Sequence, residues 1–161
     1  MWPMIRPYEG RDIAAVVELS LRAWAPVFAS LEQVLGSAVF RRMHPDWRED
    51  QQRAVEEVCA STGTRVWVAE VSGETVGFVA TRVFDPERSM GEITMLAVDP
   101  DHQERGIGTA LTEVALEGLE DAGMRMAMVE TGGDPGHAPA RRTYVRSGFT
   151  LLPVARYFKN L

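Results

Sequence analysis

The stretch EITMLAVDPDHQERGIG, residues Glu92 to Gly108, reads as a strand, a short loop and the start of a helix. Glu92 to Val98 is mostly apolar or β-branched, and Asp99-Pro100 ends it with a residue that cannot donate a ladder hydrogen bond. Asp99 to Arg105 then lead to Gly106-Ile107-Gly108. There a helical face begins with Ile107, Ala110, Leu111, Val114, Ala115 and Leu119. A glycine turn that opens a helix aims unpaired backbone N–H groups outward at the positive end of the helix dipole. Without Cβ atoms, it lets an anion come close. The same glycines would also serve a plain loop-to-helix turn, so the neighbouring residues must decide between the two readings.

Working outward in the N-terminal direction, Arg65 to Val71 and Thr75 to Phe84 form two β-rich runs around the hairpin signal Ser72-Gly73-Glu74, and Asp85 to Arg88 connects to the strand at Glu92. Three strands therefore meander before the glycine turn. Ahead of them, Met4 to Pro7 is a short strand, and Asp12 is placed to cap a helix with the face Ile13, Val16, Val17, Ser20 and Trp24, which Pro26 should end. A second helix carries Leu31, Val34, Leu35, Ala38 and Val39; a third runs from Trp47 to Ser61. On the C-terminal side, Met124 to Val129 is a buried strand reached through a helical crossover, so it should run parallel to the strand before it. Thr131 to Gly136 is loop by composition, His137 to Ser147 a short helix, and Phe149 to Phe158 the last strand material.

The 161 residues, 45% hydrophobic and 25% charged, fit one globular domain, with residues 1–61 as an N-terminal strand and helices and 64–161 as the larger half. The expected class is α/β of the α+β type: a mixed, mostly antiparallel sheet with helices on both faces. No uninterrupted apolar run reaches bilayer length and no signal core follows Met1, so the chain reads as cytoplasmic, with no membrane partner. The net charge of −6 argues against nucleic acid as a partner. Even so, Pro135 to Leu161 holds no acid, while Arg141, Arg142, Arg146, Arg156 and Lys159 make it locally basic, which suits a ligand with several phosphates. Cys59, the single cysteine, reads as a packed helix residue rather than a nucleophile.

Several chemistries are excluded by residue type. A triphosphate-binding loop needs Gly-Lys-Ser/Thr, and the one lysine is Lys159. A dinucleotide fingerprint would need a third glycine where Leu111 stands, and a tighter link between strand and glycine. His44, His102, His137 and Cys59 lack metal-ligand spacing, so no metal is expected.

Gln103-Glu104-Arg105-Gly106-Ile107-Gly108 fits Q/R-x-x-G-x-G/A, and Ala140 to Phe149 fits A-x-x-x-Y-x-x-x-G-F. In these motifs the chain resembles the GNAT superfamily of acetyl-CoA-dependent N-acetyltransferases, over roughly Thr64 to the C-terminus. The resemblance implies a central parallel strand pair that splays apart, with acetyl-CoA as co-substrate in the gap. It also implies that the backbone of Leu96, Ala97 and Val98 holds the pantetheine arm, and that Gln103, Arg105, Gly106, Ile107, Gly108 and Thr109 surround the pyrophosphate. His137 stands where the family commonly has an asparagine that contacts the arm; it is a candidate to bind the cofactor in its place with one hydrogen bond, to carry a proton, or to serve only as a helix cap or surface residue.

Acyl transfer to an amine needs a group to take the amine's proton and an acid for the leaving thiolate. Glu92, eleven residues before Gln103, sits where one branch of the family places its glutamate base, with Glu130 and Asp134 as competitors. Alternation along a regular strand would put Glu92, Thr94, Leu96 and Val98 on one face. Tyr144 is the acid expected from the resemblance. Trp24, Phe28, Phe40 and Trp47 are expected near a small-molecule or peptide amine acceptor, or else in the core. Oligomeric state is left open, a homodimer included. The alternative to an enzyme is a non-catalytic acyl-CoA-binding or protein-interaction module on the same fold.

Overall fold

A computed structural model describes residues 2–161. The elements, in chain order, are β1 (Met4–Pro7), α1 (Ile13–Leu35), α2 (Ser37–Met43), α3 (Trp47–Ala60), β2 (Thr64–Val71), β3 (Glu74–Asp85), β4 (Met90–Val98), α4 (Ile107–Asp121), β5 (Met126–Val129) and α5 (Ala138–Arg146). The strands form one sheet in the order β1-β2-β3-β4-β5. The first four are antiparallel neighbours, and β5 joins β4 in parallel, as a helical crossover requires.

Each face of the sheet buries its own helices. Ile107, Leu111 and Ala115 of α4 pack with Trp67, Val79 and Ile93 on one side. Val16 and Leu19 of α1 and Val55 of α3 pack with Val68, Phe78 and Ala97 on the other. Fully burying each Val, Leu, Ile or Phe side chain among these contributes about 1.5–3 kcal/mol, so the two clusters hold the sheet between its helices. The N-terminal segment is locked separately. The Arg6 guanidinium bridges Asp12 (2.8 Å) and Glu70 (2.7 Å), and its hydrogen bonds hold the Asp12 carboxyl below the usual carboxylate range.

Several expectations change. The fifth strand is not buried: Met126 is exposed and the rest of β5 is part-buried, as befits an edge strand. Pro26 does not end the first helix: α1 continues to Leu35 and stops at Gly36, whose φ is 80°. The missing N–H of Pro26 and its ring clash cost about 3 kcal/mol. Packing beyond it offsets that cost, because Phe28 stacks on Trp47 at 4.6 Å and also meets Phe40 and His44. Asp12 precedes α1 without capping it through its side chain; its carboxylate instead accepts from the Glu9 amide and Arg6. By length and composition, Gly10–Leu35 is long and apolar enough to cross a membrane, because its charges leave an 18-residue window with no more than two of them. In the fold its buried residues Val16, Leu19 and Ser20 mark the face it turns to the sheet. Finally, residues 149–161 form no strand, so the parallel pair lies at one edge of the sheet rather than at its centre.

Candidate functional site

β4 and β5 pair only from Met90↔Met126 to Ile93↔Val129. β4 runs on to Val98, whereas β5 ends at Val129, so the β5-facing edge of β4 is open from Thr94 onward. Open strand edges present unpaired N–H and C=O groups, to which an extended amide-bearing ligand can add as another strand.

The strand is also bulged at this point. Met95 pairs with Ala80 and Ile93 with Thr81, which leaves Thr94 without a ladder partner; its hydroxyl donates to the Ala80 carbonyl at 3.2 Å. The extra residue shifts the alternation. Ile93, Leu96 and Val98 pack on the α4 side, whereas Met95 and Ala97 pack on the α1–α3 side. Glu92, across the pleat from Ile93, therefore lies on the face opposite Leu96 and Val98, and the shared face expected from simple alternation is not present.

Beyond Val98 the chain turns through Glu104 (φ 61°) and Gly106 (φ 81°), both left-handed, into α4. Gly106 needs that conformation, which other residues adopt only with strain. The first helical bond of α4 runs from the Ala110 amide to the Gly106 carbonyl, so the amides of Ile107, Gly108 and Thr109 precede the ladder. Alternating left- and right-handed residues at a helix start make a concave nest of N–H groups suited to an anion. Gln103 braces this turn by donating to the Val98 carbonyl at 3.0 Å. Arg22 of α1 ties in from the opposite face through Asp99 and, at 2.9 Å, through Asp101.

The open edge and the turn border a single cleft of about 720 Å³, whose far side comes from α1, the segment after β5, and α5. Leu96, Ala97, Val98, Gln103, Gly106, Ile107, Gly108, Thr109, His137 and Tyr144 all line it. Glu130 lines it as well, whereas three sequence candidates, Arg105, Glu92 and Asp134, do not. Arg105 is exposed, and Glu92 pairs with Arg82 at 2.7 Å with its side chain 14% exposed. Tyr144 is 9% exposed, and burial pushes its phenol up to about 12 from 10.0, so it carries its proton throughout the neutral range. Of the basic C-terminal residues, Arg142 and Arg146 reach the cleft, and Arg141 turns inward to the carbonyls of Gly132 and Asp134.

Of the aromatic residues expected on the acceptor side, Trp24 lines the cleft. Phe28 stacks on Trp47 and meets Phe40 edge-on where α1, α2 and α3 pack together; Phe40 is buried, Phe28 and Trp47 are part-buried, and none of the three lines the cleft. Sequence reasoning missed Gln51 of α3, which lines the cleft 9% exposed, with its Nε2 buried and unpartnered. It also missed Ser30, whose hydroxyl donates to Asp134 at 2.6 Å and accepts from the Gly136 amide at 2.9 Å. Ser30 carries no local signal, because its partners lie over a hundred residues away. Cys59 is part-buried, and burial pushes its thiol up to about 11, which suits packing rather than nucleophilic attack.

A family model described as the acetyltransferase (GNAT) family matches residues 14–149. Among curated relatives, a mycothiol acetyltransferase from Streptomyces coelicolor is 41% identical over 150 residues, covering 89% of this chain and 48% of the relative. Another, from Amycolatopsis mediterranei, is 32% identical over 118 residues, covering 65% and 38%. The chain thus spans about half or less of the length of these relatives. Among solved structures, PaiA N-acetyltransferase from Thermoplasma acidophilum in complex with coenzyme A superposes with a TM-score of 0.70 at 16% identity, covering 96% of this chain and 94% of that one. At that identity the likeness speaks for the fold.

Proposed function

Since the chain belongs to the GNAT family of acetyltransferases, we propose that it transfers an acetyl group from acetyl-CoA directly to a primary amine, without a covalent acyl-enzyme. The observation that carries this reading is the open edge of β4 running straight into the amide-rich turn at Gly106. A pantetheine arm carries amides at strand spacing and ends in a pyrophosphate at the other side. The β4 edge at Leu96 to Val98 meets the first, and the amides of Ile107 to Thr109 meet the second. Arg142 and Arg146 add positive charge along the same cleft.

On this reading the acetyl group lies near Thr94 and Met95, between the bulge and Tyr144. The amine must be neutral when it attacks, and the developing oxyanion is met by backbone amides of β4. Tyr144 keeps its phenolic proton until the C–S bond breaks, then passes it to the departing thiolate. Glu92 is proposed in an indirect role: with its carboxylate on Arg82, it reaches the cleft through water. Residues 1–61 supply the acceptor side through Trp24, Val27 and the unpaired amide of Gln51. The names of the curated relatives put mycothiol-related amines first among acceptors to try.

Calorimetric titration with acetyl-CoA, followed by thiol release on adding an amine panel, tests the proposal. Binding followed by amine-dependent thiol release supports it. Binding with no release on any amine would support a non-catalytic acyl-CoA-binding module instead.

A further inference from the structure

The segment Gly132-Gly133-Asp134-Pro135-Gly136-His137 is built more tightly than a connection between β5 and α5 requires. The Asp134 side chain is 5% exposed and each of its oxygens has a separate task. Oδ2 accepts from the Ser30 hydroxyl at 2.6 Å and from the Gly136 amide at 3.1 Å, and Oδ1 is bonded to Nδ1 of His137. A turn cap needs only the first oxygen. The second fixes an imidazole whose side chain is 19% exposed on the cleft wall.

The two flanking glycines are there for this arrangement. A Cβ on Gly132 would lie 2.3 Å from Asp134 Oδ1 and 2.5 Å from His137 Nδ1, and one on Gly136 would lie 2.6 Å from Ser30 Cβ. No real side chain tolerates such contacts, so both positions must be glycine for carboxylate and ring to meet. Arg141 closes the unit from behind on the carbonyls of Gly132 (2.6 Å) and Asp134 (2.8 Å). Hydrogen bonds from Ser30 and His137 hold the Asp134 carboxyl below the usual range against the opposing effect of burial, so it stays an acceptor.

We infer that His137 is the group that takes the proton from the acceptor's ammonium, with Asp134 and Ser30 as its positioning residues. In the neutral ring, an ionised carboxylate on Nδ1 places the proton at that nitrogen and leaves the Nε2 lone pair free. Nε2 removes one proton from R–NH3+ and later passes it to water. The neutral amine then forms the C–N bond, and the C–S bond breaks. The thiolate takes the Tyr144 proton, and the phenol is restored by the second proton of the nitrogen. Two protons leave the nitrogen, one ends on the thiol and one in solvent, so the transfer balances. Ser30 fixes the unit to α1, the helix that also presents Trp24 to the acceptor, so binding side and base move as one body.

This inference rests on the acetyltransfer reading, and the test separates the two. Spermidine, glucosamine and alaninamide serve as amine probes with the full chain. Thiol release by the wild type on at least one of them, or on a mycothiol-related amine added to the panel, supports acetyltransfer itself; release on none of the panel overturns both readings. With a working probe, His137→Gln should lower kcat by about 100-fold or more, the usual worth of a positioned base, with KM for acetyl-CoA within about twofold. Asp134→Asn should lower kcat roughly 10-fold or more by releasing the wrong tautomer. Added imidazole should partly restore His137→Ala, which a merely structural histidine would not allow. Nitrogen-15 NMR of the CoA-bound wild type should show Nδ1 protonated and Nε2 bare. Retention of wild-type kcat by His137→Gln, or a proton on Nε2 with Nδ1 bare, would overturn the inference while leaving acetyltransfer standing.

Discussion

The two walls of the cleft are made of different material. The β4 wall and its turn offer backbone groups: an unpaired strand edge past Ile93 and three amides ahead of the α4 ladder. The opposite wall offers side chains, and these hold one another: Ser30 on Asp134, Asp134 on His137, Arg141 on the carbonyls between them. Backbone donors read a generic feature, amide or phosphate, and tolerate change in the side chains that carry them. A side-chain network fixes one proton at one atom and tolerates little. A shared cofactor suits the first wall, and a particular acceptor suits the second.

Blocking the backbone wall should have the largest effect. Gly106→Trp forces a bulky residue into a left-handed φ of 81° over the amide nest and should weaken acetyl-CoA binding at least about 100-fold by calorimetry, with the fold retained by circular dichroism. Tyr144→Phe removes a proton without removing a surface. It should cut kcat about 10- to 100-fold with the acetyl-CoA Kd unchanged. Gln51→Leu should raise the acceptor KM by several-fold and spare acetyl-CoA, since it removes from the cleft wall a buried side-chain donor that has no partner among the described residues. Glu92→Gln should change kcat less than about fivefold, because an indirect carboxylate paired with Arg82 has little to lose. A pH scan adds a stability readout. The buried Tyr144 phenol ionises at about 12, while in the unfolded chain it ionises near 10.0. This contribution is fully present below pH 10 and is lost as pH rises toward 12.

The same contrast explains what could be read in advance. The backbone wall follows from local chemistry: Pro100 stopping a strand, glycine before an apolar helical face, a helical crossover making β5 parallel. The bulge at Thr94 was hidden because ITMLAV is apolar on both faces, so a one-residue slip leaves the pattern unchanged. Pro26 misled because the contacts that carry α1 past it, Phe28 on Trp47 and Ser30 on Asp134, come from distant parts of the chain. Phe149 to Phe158 has strand composition, but a strand needs a partner, and residues 149–161 pair with none in this sheet. Asp134 and His137 were visible as titratable residues. Their shared bond, and the glycines that permit it, were legible only in three dimensions.

The most direct test of the central claim is to follow the free thiol of CoA as the protein, with acetyl-CoA bound, is offered the amine panel that includes mycothiol-related amines. The account predicts amine-dependent release with the acetyl group recovered on nitrogen by mass spectrometry. Tight acetyl-CoA binding with no thiol released on any amine would contradict it.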